Sequence, residues 1–431
     1  MVRCILFVVL TISASSCALL IPNPLPKAPK LPPWPWIKPT RTPAKPPSDV
    51  QLSPVILLPG DGGSQLEARL NKPSVVHYFC AQKTKGWFDL WLNVELLVPY
   101  VLDCFVDNMR LVYNNETGRS EDAPGVEVRV RGFGNSTSVE YLDTSRISLS
   151  KYFADIAAYL VAKGYQRDVS IRGAPYDFRK APNELGDYFS NLRKLVEETY
   201  EMNNKTAVTF IAHSMGNLIA LYLLQDQTAE WKQKYISGFI SLAAPWAGAV
   251  KAIKAATSGD NLDVSLISAF RVRAEQRTNP SLTFIMPNPE SELWGDNETL
   301  VSTPERNYTI HDMQAMFHDM NYDDGWEMWK RTANLVDLSP PGVKMYCMYG
   351  VGIDTPESMV FGRGQFPDKP PKVIYGDGDG TVNRKSLEYP KQWNFEQEED
   401  VAFLPFGGVT HMTILSDKAV LDQIGKILRL L

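Results

Sequence analysis

Residues 207–225 read Ala207-Val-Thr-Phe-Ile-Ala-His-Ser214-Met-Gly-Asn-Leu-Ile-Ala-Leu-Tyr-Leu-Leu-Gln225. Ala207 to Ala212 is a short apolar run of the buried-strand type, and Asn217 to Gln225 continues as a helix. Between them lies Ala212-His-Ser-Met-Gly216. A strand–turn–helix elbow strains the backbone of its central residue, and only small neighbours permit that. Ala212 takes the first small position, where glycine is usual, and Gly216 the last. The elbow exposes the Ser214 hydroxyl at a helix N-terminus, where N–H groups and the helix dipole favour developing negative charge. A serine that merely capped a helix would not need this setting. The reading is a nucleophilic serine on an α/β-hydrolase fold.

In that fold the acid and then the base follow the nucleophile along the chain. The chain has five histidines. His77 and His213 precede the serine. His311 and His318 fall in an Asp- and Met-rich helical stretch and read as surface groups. His411 remains, in Gly407-Gly-Val-Thr-His-Met412 after the last apolar strand. The acid is expected after the strand Lys372–Tyr375, in Gly376-Asp-Gly-Asp-Gly-Thr-Val382. Asp377 and Asp379 both qualify by position. Its work is to hold the imidazole tautomer and stabilise the imidazolium. The repeated Gly-Asp offers too few ligands for a calcium loop. The chemistry calls for no metal and no cofactor. An oxyanion hole needs two N–H donors: Met215 supplies one, and the loop after the first strand supplies the other from Asp61 or Gly62.

Other segments agree with a two-sided, mainly parallel sheet. Strands are expected at Pro54–Pro59, Gly238–Ala243, Lys344–Tyr349, Lys372–Tyr375 and Val401–Phe406. Helices are expected at Ser148–Ala162, with Ser148 as N-cap, at Tyr188–Met202 and at Asp417–Leu430. Trp87, Phe88, Trp91, Leu92 and Leu96 fall near helical spacing. Residues 250–335 show no clear strand pattern and read as a cap insertion.

The 431 residues allow one large core with insertions. Apolar content of 44% with 22% charged residues reads as globular, and a net charge of -5 gives no nucleic-acid footprint. An aromatic share of 11% suits apolar ligands as well as an ordinary core. Residues 1–18 order a basic residue, a short apolar run and small residues, as a cleaved secretory signal does; the run is too short to span a bilayer. Residues 19–51 are proline-rich, an extended arm or linker, since proline fixes φ and removes donors. The hydrolase domain is expected over 52–431. Cys4 and Cys17 leave with the signal. Of the three remaining cysteines, Cys80 and Cys104 are the closer pair and are expected to be bridged, leaving Cys347 free. Five Asn-x-Ser/Thr sequons, at Asn115, Asn135, Asn204, Asn297 and Asn307, point to the same secretory route. No second long apolar run predicts a transmembrane span.

At these residues the chain resembles the lecithin:cholesterol acyltransferase family. The shared stretches are Pro54–Asp61, Arg172-Gly-Ala-Pro-Tyr-Asp-Phe-Arg179, Ala212–Asn217, Ala244-Pro-Trp246 and Gly376–Val382. The resemblance implies Asp379 as the acid beside Ser214 and His411, and Asp61 with Met215 as the oxyanion donors. It makes 80–104 a small membrane-contacting part closed by the Cys80–Cys104 bridge, with Trp87, Phe88, Leu90 and Trp91 touching lipid. It makes 250–280 a lid and puts Lys251 near the acyl-acceptor path. The implied activity is phospholipase A and lipid O-acyltransfer at a phospholipid membrane or lipoprotein surface, with water or a lipid alcohol as acceptor. Competing expectations are a neutral lipase or carboxylesterase, a sterol acyltransferase, and a non-catalytic lipid-binding protein. A carboxylate at position 61 repels the forming oxyanion when ionised, so an acidic working pH and a lysosomal and/or secreted location are expected. Gly62 departs from the leucine of the family's lysosomal branch, and Ala247 replaces a glycine; neither removes a catalytic atom.

Overall fold

The computed structural model describes residues 52–97, 100–261 and 268–430. The expected signal segment (1–18) and proline-rich arm (19–51) lie outside the described residues. Six strands form the central sheet: β1 Val55–Leu58, β2 Ile171–Gly173, β3 Val208–His213, β4 Ile236–Leu242, β5 Met345–Val351 and β6 Val401–Gly407. Their order is β6-β5-β4-β3-β1-β2, and every pairing is parallel. Strands covered on both faces need no polar alternation, which is why β1 reads Val-Ile-Leu-Leu with every side chain buried. Alternate residues feed opposite layers. Ile56, Leu58, Phe210 and Phe239 enter one core; Val55, Leu57, Ile211 and Ile240 enter the other. Helix α1, Gly216–Gln225, leaves β3 directly. With helices around it, this sheet is an α/β-hydrolase core.

Four local expectations are corrected. Residues 88–91 are a strand, not helix: Phe88–Trp91 pairs antiparallel with Leu66–Leu70, which also pairs with Val126–Val130. A run this short fits both periods, and pairing with a distant edge decides it. Ser148 caps no long helix. A 3-10 turn at Ser148–Ser150 is followed by extended Lys151, and the α-helix runs Ala154–Ala162 with Phe153 at its N-cap. Lys372–Gly378 lies outside the central sheet, in an antiparallel hairpin with Ile353–Val360. Finally, 250–335 is largely helical, with α2 Val250–Ser258 and α3 Ala269–Gln276, but two short strands, Val301–Ser302 and Asn307–Tyr308, join the hairpin's sheet.

Cys80 and Cys104 are bridged, with Cα atoms 5.5 Å apart. Cys347 is free and buried in β5, and burial pushes its thiol pKa up. All five sequon asparagines are exposed. Among the described residues no helix is long and apolar enough to cross a membrane.

Leu90 is fully buried in the main core and touches no solvent. The expectation that it contacts lipid is therefore corrected. Because Leu90 is the buried residue of the strand Phe88–Trp91, Leu90→Ala is expected to cost about 2–5 kcal/mol of stability, read by chemical denaturation. A loss below about 1 kcal/mol would place Leu90 at a surface instead.

Candidate active site

β3 ends at His213, and Ser214 turns the chain into α1 with φ of +54°. That left-handed geometry is costly for a serine, and it is held by the Ser214 N–H donating to the Leu242 carbonyl at 2.9 Å. Gly216 is required on the far side. A Cβ there would stand 2.4 Å from the Pro59 carbonyl oxygen and 2.5 Å from that of Leu58. The end of β1 thus passes directly against the elbow.

His411 lies in the loop after β6. Its Nε2 is 2.9 Å from Ser214 Oγ, and its Nδ1 is 2.8 Å from Asp379 Oδ2. The two loops also join through their backbones, the His411 N–H donating to the Asp379 carbonyl at 2.8 Å. Asp379 is fully buried, and its Oδ1 accepts from the N–H groups of Thr381 (2.9 Å) and Val382 (2.7 Å). Asp377 points elsewhere. It accepts from the Gly352 N–H at 2.7 Å and from Arg384 at 2.9 Å, and these contacts, Arg384 first, lower its pKa. The geometry separates the two acids that position alone left equal. His311 and His318 are exposed, on helical turns between 310 and 319, paired with Asp296 and Asp323.

The loop after β1 meets the elbow. Neither the Asp61 nor the Met215 N–H is taken up by a hydrogen bond among the described residues, so both are free to meet an oxyanion. Gly62 holds φ of +68°, and a Cβ there would come within 3.3 Å of the Trp91 ring. Trp91 Nε1 donates to the Gly62 carbonyl at 2.7 Å, and its ring packs on Phe105 and Phe178. Trp91 therefore clamps this loop rather than standing out toward solvent. Asp61 is exposed to solvent on one side. The protein crowded round its other sides raises its pKa to about 6, a backbone N–H at Gly62 opposing and Asp260 adding. Glu275 on α3 is buried, accepts from Asn279 at 2.7 Å, and has its pKa raised to about 7, mainly by burial and further by Asp61.

Lys251 on α2 reaches the acid loop: its Nζ is 3.5 Å from Thr381 Oγ1 and 3.6 Å from Asp260. Trp87 lies beneath two guanidinium groups, Arg129 at 4.1 Å and Arg69 at 5.2 Å, and Phe88 is half-buried. The apolar side chains most open to solvent near the bridge are Tyr78 and Tyr100, 97% and 87% exposed, with Val76 and Phe79 beside them. Sequence reading missed these four, as it missed Trp91's clamp and Glu275. Their roles arise from tertiary placement that no local pattern carries.

A family profile described as "Lecithin:cholesterol acyltransferase" matches residues 87–418. The chain is 44% identical over 376 residues to "Lysosomal phospholipase A and acyltransferase" of Bos taurus, covering 87% of this chain and 91% of that one. The Homo sapiens protein of the same description is also 44% identical, at 87% and 90% coverage. "Phosphatidylcholine-sterol acyltransferase" of Gallus gallus is 43% identical over 379 residues, at 88% and 90%. Among solved structures, a chain of "The crystal structure of Tle4-Tli4 complex" superposes with a TM-score of 0.51 at 14% identity, covering 88% of this chain and 98% of that one, a likeness of fold. With its profile match and these identities across most of its length, the chain belongs to the lecithin:cholesterol acyltransferase family.

Proposed function

We propose that the chain is a phospholipase A and lipid O-acyltransferase that works through an acyl-enzyme on Ser214. The observation that carries this reading is the unbroken line Ser214 Oγ–His411–Asp379 at 2.9 and 2.8 Å. His411 Nε2 takes the hydroxyl proton while Oγ bonds to the ester carbonyl carbon of a glycerophospholipid. The oxyanion rests on the N–H groups of Asp61 and Met215, each worth about 3 kcal/mol. Collapse breaks the ester C–O bond, His411 returns its proton to the leaving oxygen, and a lysophospholipid departs. Water or a lipid alcohol then gives its proton to His411, attacks the acyl-enzyme and frees Ser214. The names of the relatives support phospholipid as donor. Substrate meets the protein at a membrane or lipoprotein surface, approached through the exposed Val76, Tyr78, Phe79 and Tyr100 beside the 80–104 bridge. Residues 250–335 form the cap, with α2 and α3 as its lid-side helices and Lys251 toward the acceptor path.

Asp61 sets the working pH. Its carboxyl is neutral below about pH 6, and there it leaves the neighbouring oxyanion unopposed. Above that it carries a charge that repels the oxyanion. Activity is therefore greatest on the acid side and falls as pH rises, which suits a lysosomal site and leaves secretion into acidified surroundings open. Asp61→Asn stays neutral throughout. At pH 7.5 a carboxyl of this pKa is only about 3% neutral, so the variant is expected to exceed the wild type there by up to about 30-fold. An Asp61→Asn optimum unmoved from that of the wild type would refute this explanation. The reading as a whole is tested by acyl products from phospholipid liposomes, with and without ceramide-like alcohol or sterol, across pH. Release of no fatty acid and transfer to no acceptor would end it.

A further inference from the structure

His213 adjoins the nucleophile, and it is 1% exposed. Its ring lies against that of His411, with centroids 4.8 Å apart. Both its nitrogens have partners. Nε2 is 2.8 Å from the His411 carbonyl oxygen, and Nδ1 is 2.5 Å from the Tyr152 hydroxyl. That hydroxyl is 2.9 Å from the Gly60 nitrogen. The direction of every bond is forced. A backbone N–H only donates and a carbonyl only accepts. Gly60 therefore donates to Tyr152, and His213 carries its proton on Nε2 for the His411 carbonyl. A neutral imidazole leaves Nδ1 bare, and the Tyr152 hydrogen fills it. Burial, with His411 adding, holds the His213 pKa well below the usual value, so no second proton breaks the chain in acid. Burial likewise raises the Tyr152 pKa and keeps its hydroxyl protonated.

We infer that Tyr152 and His213 are positioning residues for acyl transfer, a relay that ties the oxyanion loop at Gly60-Asp61 to the backbone of the base, His411. The relay completes the fixing of His411: Asp379 holds its N–H, and His213 holds its carbonyl. Gly60 also touches the nucleophile, since a Cβ there would lie 2.6 Å from that of Ser214. Three loops, after β1, β3 and β6, are thus kept in register by two buried side chains. Register matters because a shift of about 1 Å in a reacting group costs about 100-fold in rate.

This inference rests on the acyl-transfer reading, and the test separates the two. Tyr152→Phe removes one oxygen and strands the Gly60 N–H and His213 Nδ1. On phosphatidylcholine vesicles kcat is expected to fall about 10- to 100-fold, with KM within about twofold. His213→Gln, whose amide can still donate to the His411 carbonyl, is expected to retain more activity than His213→Leu. Tyr152→Phe added to His213→Leu is expected to cost nothing further, because the relay is already cut. A Tyr152→Phe kcat within about twofold of wild type, or losses that multiply in the double variant, would overturn the relay. Should a variant fail to fold, nitrogen-15 NMR of the wild type decides. His213 is expected to show one neutral Nε2–H tautomer from about pH 4.5 to about pH 7, and a titrating or Nδ1–H ring would overturn the relay. A wild type that a fluorophosphonate does not label refutes the acyl-transfer reading instead.

Discussion

Ser214→Ala is expected to lower turnover of phospholipid about a million-fold and to abolish covalent labelling by a fluorophosphonate. The magnitude follows from the site's division of labour. The hydroxyl oxygen is the atom that bonds to the acyl carbon, and among the described residues His411 Nε2 hydrogen-bonds to no other side chain. Binding and the free N–H groups of Asp61 and Met215 survive the change, so residual catalysis over water is that of an empty oxyanion hole. Folding survives too. The elbow is held by backbone, through the Ser214 N–H and the tight approach of Gly216 to Pro59, and alanine fits the same left-handed turn as serine does. Thermal unfolding of the variant should match the wild type within a few degrees. Retention of more than about one hundredth of the activity would mean that another nucleophile does the work.

Asp379→Asn is expected to cost about 10,000-fold in kcat, while Asp377→Asn stays within about twofold. The asymmetry comes from the hydrogen bonds each acid accepts. Oδ1 of Asp379 takes two backbone N–H groups, from Thr381 and Val382, and Oδ2 takes the His411 Nδ1 proton. An asparagine must keep its oxygen on the two N–H groups, so its amide nitrogen turns to His411. A donor there forces the imidazole proton onto Nε2, and Nε2 can no longer accept from Ser214. Asp377 accepts from Gly352 and Arg384 and not from His411. Equal losses in the two variants, measured on vesicles near the pH optimum, would contradict the assignment.

The two acids, Asp377 and Asp379, lie two positions apart in one glycine-rich stretch, and position could not choose between them. The pairing of Ile353–Val360 with Lys372–Gly378 turns one toward β5's end and the other toward solvent. By contrast, His411 was legible by elimination, because few histidines follow the serine, and β1, β3 and α1 were legible because buried parallel strands are continuous apolar runs. The aromatic run 87–92 was misread as helical because four strand residues carry too short a pattern to tell a period of 2 from one of 3.6. The hairpin strand was assigned to the wrong sheet because sequence reports that a segment is extended, not what it pairs with. Tyr152 was silent for a stronger reason. Its partner His213 is 61 positions away, and only tertiary packing, in which Tyr152, Phe153 and Ile156 share a core with Ile211 of β3, brings them together.

His411 lies 197 residues after Ser214, beyond β6, the last strand to be added to the sheet and its edge. A ribosome working at about 5–20 residues per second needs roughly 10–40 s to cover that distance. Throughout that interval the growing chain holds a nucleophile with no base to activate it. The chain's lipid-cleaving chemistry thus waits until synthesis is nearly over, and the timing is written in the order of the strands rather than in any inhibitor.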